Sequence, residues 1–171
     1  ATGTLLKDFQ PEVIINASAL SVVDYCEQHP EEAYALNVSA VKHLAEYSQA
    51  NSCRLIHLST DFVFDGTASE VYKETDSPNP VNYYGKTKRW SEEAIEQTCT
   101  NYAIARVEVV YGKPFPGQHG NIVHLVKSRL ENGQDIRVVS DQFRSPTWVE
   151  DIARAIESLL SEKHQGIYHI C

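Results

Sequence analysis

Leu55-Ile56-His57-Leu58-Ser59-Thr60-Asp61 is the stretch on which the fold turns. It opens as a short run, apolar almost throughout, and closes on hydroxyl and carboxylate side chains. A run this short has the length of a strand rather than of a helix. Apolar residues at consecutive positions imply cover on both faces, as in a parallel sheet. Four more short runs have the same character: Val13-Ile14-Ile15, Tyr102-Ala103-Ile104-Ala105, Ile136-Arg137-Val138-Val139 and Ile167-Tyr168-His169-Ile170. All five are predicted strands. Amphipathic stretches lie between them. Within 31–50, Ala33, Leu36, Asn37, Ala40, Val41 and Leu44 form one stripe at helical spacing. A second helix is predicted over 81–97, after Pro78-Asn79-Pro80. A third covers 121–131 and ends at Asn132-Gly133, and a fourth covers 149–161. This alternation predicts an α/β fold: a doubly wound, mostly parallel sheet of five strands, right-handed crossovers, and helices on both faces. The longest stretches without periodicity, 60–80 and 107–120, follow strand C-termini. Ligands of open α/β sheets bind at that edge.

The chain has 171 residues, 42% hydrophobic and 22% charged, which is the size and composition of one globular domain. Its net charge of −8 disfavours a phosphate backbone, so no nucleic-acid partner is expected. No apolar run has the length of a membrane helix and no signal peptide opens the chain, so no membrane association is expected. Cys26, Cys53, Cys99 and Cys171 are scattered without C-x-x-C spacing. That pattern fits a reducing, cytoplasmic location better than a disulfide scaffold. The histidines show neither H-E-x-x-H nor H-x-x-E-H, so no metal site is expected, and no G-x-S-x-G elbow occurs. The sequence holds no Met, starts within an apparent helix and stops at the end of an apparent strand. It is therefore expected to be part of a longer chain. The sequence sets no oligomeric state, and a homo-oligomer is compatible with it.

Five groups of residues could carry chemistry. Tyr84 and Lys88 are four apart on a predicted helix and share a face. An ammonium near a phenol favours the phenolate and would lower the Tyr pKa toward neutrality, so that it can give a proton to a developing alkoxide or take one from an alcohol. The spacing alone is common enough to be a surface pair. Ser59 and Thr60 end a buried strand, where a hydroxyl can polarise a carbonyl; turn chemistry explains them equally simply. Asn37 interrupts an apolar stripe, either as a core amide satisfied by backbone or as part of a proton relay near Lys88. Asn16-Ala17-Ser18-Ala19 is a turn of small residues that a flat ligand could approach. In Arg144-Ser145-Pro146-Thr147, Thr147 could cap the next helix and Arg144 could pair with a phosphate.

Together and in this order, these segments resemble the extended short-chain dehydrogenase/reductase family, most of all its sugar-nucleotide reductases of the dTDP-4-dehydrorhamnose reductase type. The similarity runs through Pro11–Ala19, Ala35–Val38, Ser59–Gly66, Asn79–Lys88, Arg106–Gly112 and Asp141–Thr147. It implies a Rossmann-like fold, NADPH or NADH as cofactor and a nucleotide-sugar substrate. By resemblance, Thr60 orients the keto oxygen and Tyr84 is the general acid. Lys88 binds the nicotinamide ribose and lowers the Tyr84 pKa, and Asn37 belongs to the supporting relay. Ala17, Ser18, Ala19, Ser59 and Arg106 fall on the cofactor side. Asp61, Phe62, Asn121, Arg144 and Thr147 become substrate contacts. The family's Gly-rich pyrophosphate turn has no counterpart before Val13, and Gly117-Gln118-His119-Gly120 comes too late to be it. Residues 1–171 are thus expected to be a partial NAD(P)-binding domain with the beginnings of a substrate-binding part. Val109 stands where many rhamnose-pathway reductases have Trp, so the resemblance does not specify the keto sugar. An epimerase or dehydratase of the same family, with Asp61 as a further acid or base, is one alternative. A non-catalytic cofactor-binding subunit, like the regulatory subunit of methionine adenosyltransferase, is the other.

Overall fold

A computed structural model describes residues 2–113 and 121–171; the segment Gly117–Gly120 discussed above lies outside the described residues. The chain runs α1 (Thr2–Phe9), β1 (Val13–Asn16), α2 (Val23–Gln28), α3 (Pro30–Tyr34), a π-helical turn (Ala35–Ser39) and α4 (Ala40–Ala50). It continues through β2 (Arg54–Thr60), a 3₁₀ turn (Asp61–Val63), α5 (Tyr83–Thr98), β3 (Tyr102–Val107) and β4 (Val110–Tyr111). The described part ends with α6 (Ile122–Glu131), β5 (Thr147–Trp148), α7 (Val149–Leu159) and β6 (Gly166–Ile170).

Strands β1, β2, β3 and β6 form one parallel sheet in that order, with Ile15 opposite Ile56, Ile56 opposite Ala103 and Ala105 opposite Tyr168. The period of two sends alternate residues to opposite faces. Leu55 and Ile104 meet Val41 and Ala45 of α4 and Ile95 of α5 on one face. Ile56, Ala103 and Ala105 meet Ile156 and Leu159 of α7 on the other. The sheet is therefore wound on both sides, as the alternation predicts. The handedness differs from that prediction. The strands step across the sheet in one direction while α4 and α5 lie on one face and α7 on the opposite one. Such connections have opposite hands, so the three crossovers are not all right-handed.

Local signals account for most of the boundaries. The predicted helix over 31–50 starts at Pro30 at its first turn and is interrupted by the π turn, which carries Asn37 and Val38 into the interior. The Asn82 side chain accepts from the Gly85 N–H at 2.7 Å and starts α5, just after Pro80. Asn121 likewise accepts from the His124 N–H at 3.1 Å and starts α6, and Gly133 follows its end at φ +61°. The predicted strand at Ile136–Val139 is absent: these residues form no ladder, and Val138 and Val139 are exposed. A β-branched run becomes a strand only where it pairs with a neighbour, and none of the described strands pairs with this one. A two-residue parallel pairing instead joins Val110 to Thr147 and Tyr111 to Trp148. That pairing and α2 are too short to leave a period in the sequence.

Candidate active site

At the C-terminal end of the sheet, an open cleft of about 630 Å³ is lined by Ser59, Thr60, Asp61, Phe62, Tyr84, Val107, Val109, Arg137, Gln142 and Arg144, among others. Its floor is built where β2 meets the start of α5. Thr60 is the last residue of β2, and its hydroxyl accepts from the Phe62 N–H at 3.2 Å and donates to Asp61 Oδ1 at 3.0 Å. The hydroxyl thus does the turn chemistry and still faces the cleft. Gly85 brings α5 against this turn: a Cβ there would collide with the Phe62 carbonyl oxygen and touch Pro80. The close approach sets Tyr84 edge-on to Phe62, with ring centroids 5.8 Å apart, and puts it on the cleft lining with Thr60. A glycine inside a helix costs roughly 1 kcal/mol relative to alanine, and here it is what lets α5 pack against the turn after β2.

Lys88 lies one turn further along α5 and is only 2% exposed. Its Nζ donates to the Leu58 carbonyl at 2.7 Å and sits 3.0 Å from His57 Nε2. Burial pushes Lys88 down to about 8, against the pull of the Glu92 carboxylate, so it is an ammonium at neutral pH. Burial pushes the Tyr84 phenol up to about 12; the Thr60 hydrogen bond opposes this and the Asp61 charge adds to it. The expected lowering of Tyr84 by Lys88 is therefore not found. The ammonium is seated under the strand end on Leu58 and His57, and desolvation dominates at the phenol.

The other predicted residues divide. Asp61, Phe62 and Arg144 come together: Arg144 Nη1 is 2.6 Å from Asp61 Oδ2, and its guanidinium lies 5.3 Å over the Phe62 ring. Ser59 lines the cleft while its hydroxyl donates to Glu92 Oε1 at 2.6 Å. Ala17 and Ser18 are exposed on the turn after β1, open to a ligand. Ala19, half-buried, shares that turn.

Four residues have other work. Arg106 is buried, bonds Glu92 through Nε at 2.9 Å and Nη2 at 2.7 Å, and lies over the Phe64 ring. An arginine at that register faces α5 and not the cleft. Asn37 accepts from the Leu20 N–H at 2.8 Å and donates to the Leu20 carbonyl at 2.9 Å and Thr87 Oγ1 at 3.0 Å. Its amide clamps Leu20 to Thr87 in the core. Asn121 caps α6 and donates to the Val110 carbonyl at 3.1 Å. Thr147 donates to the Ser145 carbonyl at 3.1 Å and does not cap α7.

Sequence reasoning missed three features. His57 passes as one member of an apolar run, and the fully buried Glu92 is simply one residue of the predicted helix over 81–97. Arg137, a second guanidinium on the cleft wall, was read as part of a strand. The signal available for His57 was its spacing two residues before Ser59, on the face that α5 covers. Val109, also on the wall, holds φ +36°, a costly conformation for a β-branched residue, while its carbonyl accepts from the Thr147 N–H at 3.2 Å.

A parallel, doubly wound sheet with a Tyr/Lys helix and a Ser-Thr strand end at its C-terminal edge defines a Rossmann-like dehydrogenase/reductase architecture. The chain belongs to the RmlD substrate binding domain family, whose model matches residues 1–171. It is 38% identical to spore coat polysaccharide biosynthesis protein SpsK of Bacillus subtilis, over 95% of this chain and 56% of that one. It is 34% identical to a dTDP-4-dehydrorhamnose reductase of Salmonella typhimurium, over 96% of this chain and 56% of the relative. Methionine adenosyltransferase 2 subunit beta of Danio rerio is 35% identical, over 99% of this chain and 53% of its own length. Among solved structures, a dTDP-4-dehydrorhamnose reductase from Clostridium acetobutylicum superposes with a TM-score of 0.90 at 34% identity, covering 99% of this chain and 59% of that one. The Bacillus anthracis dTDP-4-dehydrorhamnose reductase in complex with NADP gives 0.88 at 31%, covering 98% and 58%. The chain thus spans a little over half the length of the relatives it matches.

Proposed function

We propose that the protein carrying this chain reduces a keto sugar nucleotide, of the 4-keto type, with NADPH or NADH. The observation that carries this reading is Tyr84 and Thr60 together on the cleft lining, with the Lys88 ammonium buried one turn away on α5. The residues present fit one end of a dinucleotide: an ammonium with few protein acceptors, and an open turn of small side chains at Ala17 and Ser18. That cofactor, when bound, supplies the hydride that a protein side chain cannot. The chain's own residues supply the rest. Tyr84, pushed up to about 12, keeps its proton across the neutral range and is the donor for the developing alkoxide oxygen. Thr60 orients that oxygen, and the Lys88 ammonium is the group that would hold the cofactor's ribose. Arg144, and Arg137 across the cleft, suit the substrate's diphosphate. The Asp61 carboxylate is engaged by Arg144 and Thr60, which weighs against its use as the extra acid or base of an epimerase or dehydratase.

The 35% identity to methionine adenosyltransferase 2 subunit beta favours a second reading, a cofactor-binding regulatory subunit. One assay separates the two. The intact protein is mixed with NADPH or NADH and a panel of dTDP- and UDP-linked keto sugars, and cofactor consumption is followed by absorbance. Turnover of at least one sugar nucleotide is expected. Absence of turnover across the panel, with stable capture of a methionine adenosyltransferase catalytic subunit, would overturn the reductase reading.

A further inference from the structure

Arg144 meets the cleft with an anion already on it. Its Nη1 lies 2.6 Å from Asp61 Oδ2, and its guanidinium lies 5.3 Å over the ring of Phe62, the next residue of the same turn. The other Asp61 oxygen, Oδ1, accepts from the Thr60 hydroxyl at 3.0 Å. The ion pair joins the turn after β2 to residues 134–146, which form neither helix nor ladder between α6 and β5. Both partners line the cleft, together with Arg137. The side chains of Arg144 and Asp61 are 37% and 24% exposed, so a ligand can reach the pair from solvent. Glu108 feels the same two charges. Burial pushes its carboxyl up, the Asp61 charge adds to this, and the Ser145 N–H and Arg144 oppose it. Arg144 is thus the counter-charge of two carboxylates, whereas no carboxylate among the described residues pairs with Arg137.

In the free protein Asp61 therefore stands where an anionic oxygen of the ligand would stand. A guanidinium has five N–H donors, so a phosphate can also approach Arg144 along another edge. It then sits within about 5 Å of the carboxylate, and two like charges at that range repel. Full use of Arg144 by a ligand requires Asp61 to let go. A diphosphate can bring this about because it offers two anionic groups, one for Arg144 and one for Arg137, where Asp61 offers a single carboxylate already shared with Thr60. We propose that Asp61 is a built-in competitor for Arg144: an autoinhibitory carboxylate that the ligand's diphosphate displaces on binding and that reclaims Arg144 on release. The device keeps product affinity low and release fast. The inference rests on Arg144 and Arg137 as the diphosphate-binding pair of the proposed reductase.

Calorimetric titration of the intact protein with dTDP and with UDP tests this. Asp61→Asn is isosteric, keeps an oxygen for the Thr60 hydroxyl and sets an NH₂ against Arg144, so it opens the ion pair and leaves the turn. It is expected to bind the nucleoside diphosphate about three- to tenfold tighter than the unsubstituted protein. In the Arg144→Gln background the same substitution should gain less than about twofold, because nothing is left to compete for. Equal affinity, or weaker binding by Asp61→Asn, would overturn the proposal; the weaker result would make Asp61 the residue that holds Arg144 in place for the ligand. A gain undiminished without Arg144 would overturn it as well, since it would come from general charge repulsion. In NMR of the unsubstituted protein, saturation with the nucleoside diphosphate should shift the ¹³C signal of the Asp61 side-chain carboxyl. An unmoved signal would refute displacement without any variant having to fold. If neither nucleotide binds either protein, Arg144 is not an anion site and the proposal falls, while cofactor consumption across the keto-sugar panel still judges the reductase reading by itself.

Discussion

Lys88→Met is expected to reverse its effect on stability with pH. The native protein holds this ammonium 2% exposed and at about 8, against 10.5 for a free lysine. The gap corresponds to about 3 kcal/mol by which the charged form opposes folding below pH 8. Between pH 8 and 10.5 the unfolded chain binds a proton that the folded one does not, so stability from this group rises with pH across that window. Methionine fills similar space without the charge. It also abandons the Leu58 carbonyl, bonded to Nζ at 2.7 Å, at a cost of about 1–3 kcal/mol. At pH 7 the two terms leave the variant about 1 kcal/mol more stable than the native protein. Near pH 10 only the lost hydrogen bond remains, and the variant is about 1–2 kcal/mol less stable. Urea unfolding of both proteins at pH 7, 8.5 and 10 measures the difference directly. A difference that stays flat over this range would refute the reasoning, because it would mean that Lys88 titrates alike in the folded and unfolded chains. Turnover should be lost at every pH, so the stabilisation and the activity trade against each other at one residue.

Tyr84→Phe keeps the ring against Phe62 and removes the proton donor, so kcat should fall by roughly 10²–10⁴-fold with stability changed by at most about 1.5 kcal/mol; steady-state kinetics and urea unfolding check both. Glu92→Ala strips the buried Arg106 of its two bonds and should cost about 3–5 kcal/mol, whereas Glu92→Leu with Arg106→Met should recover most of that loss in the same denaturation assay. Asn37→Ala orphans the Leu20 N–H and takes one bond each from the Leu20 carbonyl and the Thr87 hydroxyl, and should cost about 2–3 kcal/mol while speeding hydrogen exchange at the Leu20 amide.

The sequence by itself determined the fold class and the end of the sheet that carries the site. Short β-branched runs between amphipathic stretches leave few arrangements other than a wound parallel sheet, because each strand needs cover on both faces. Local chemistry also set most helix starts, since Asn82, Asn121 and Pro30 act within one turn of their own position. Tyr84, Lys88, Ser59 and Thr60 were legible for the same reason: a helical spacing and a strand end are local facts.

What lay beyond the sequence depended on partners far along the chain. Ile136–Val139 has the composition of a strand and forms none, because a ladder needs a paired neighbour that composition cannot supply. Asn37 and Arg106 are polar residues in apolar surroundings, a pattern that fits a catalytic relay and a satisfied core equally well. Only the tertiary structure brings Leu20 to one and Glu92 to the other. Charge states are set the same way. Asn16, His57 and Lys88 are far apart in sequence, and the burial that moves Lys88 down and Tyr84 up exists only once β1, β2 and α5 close around them.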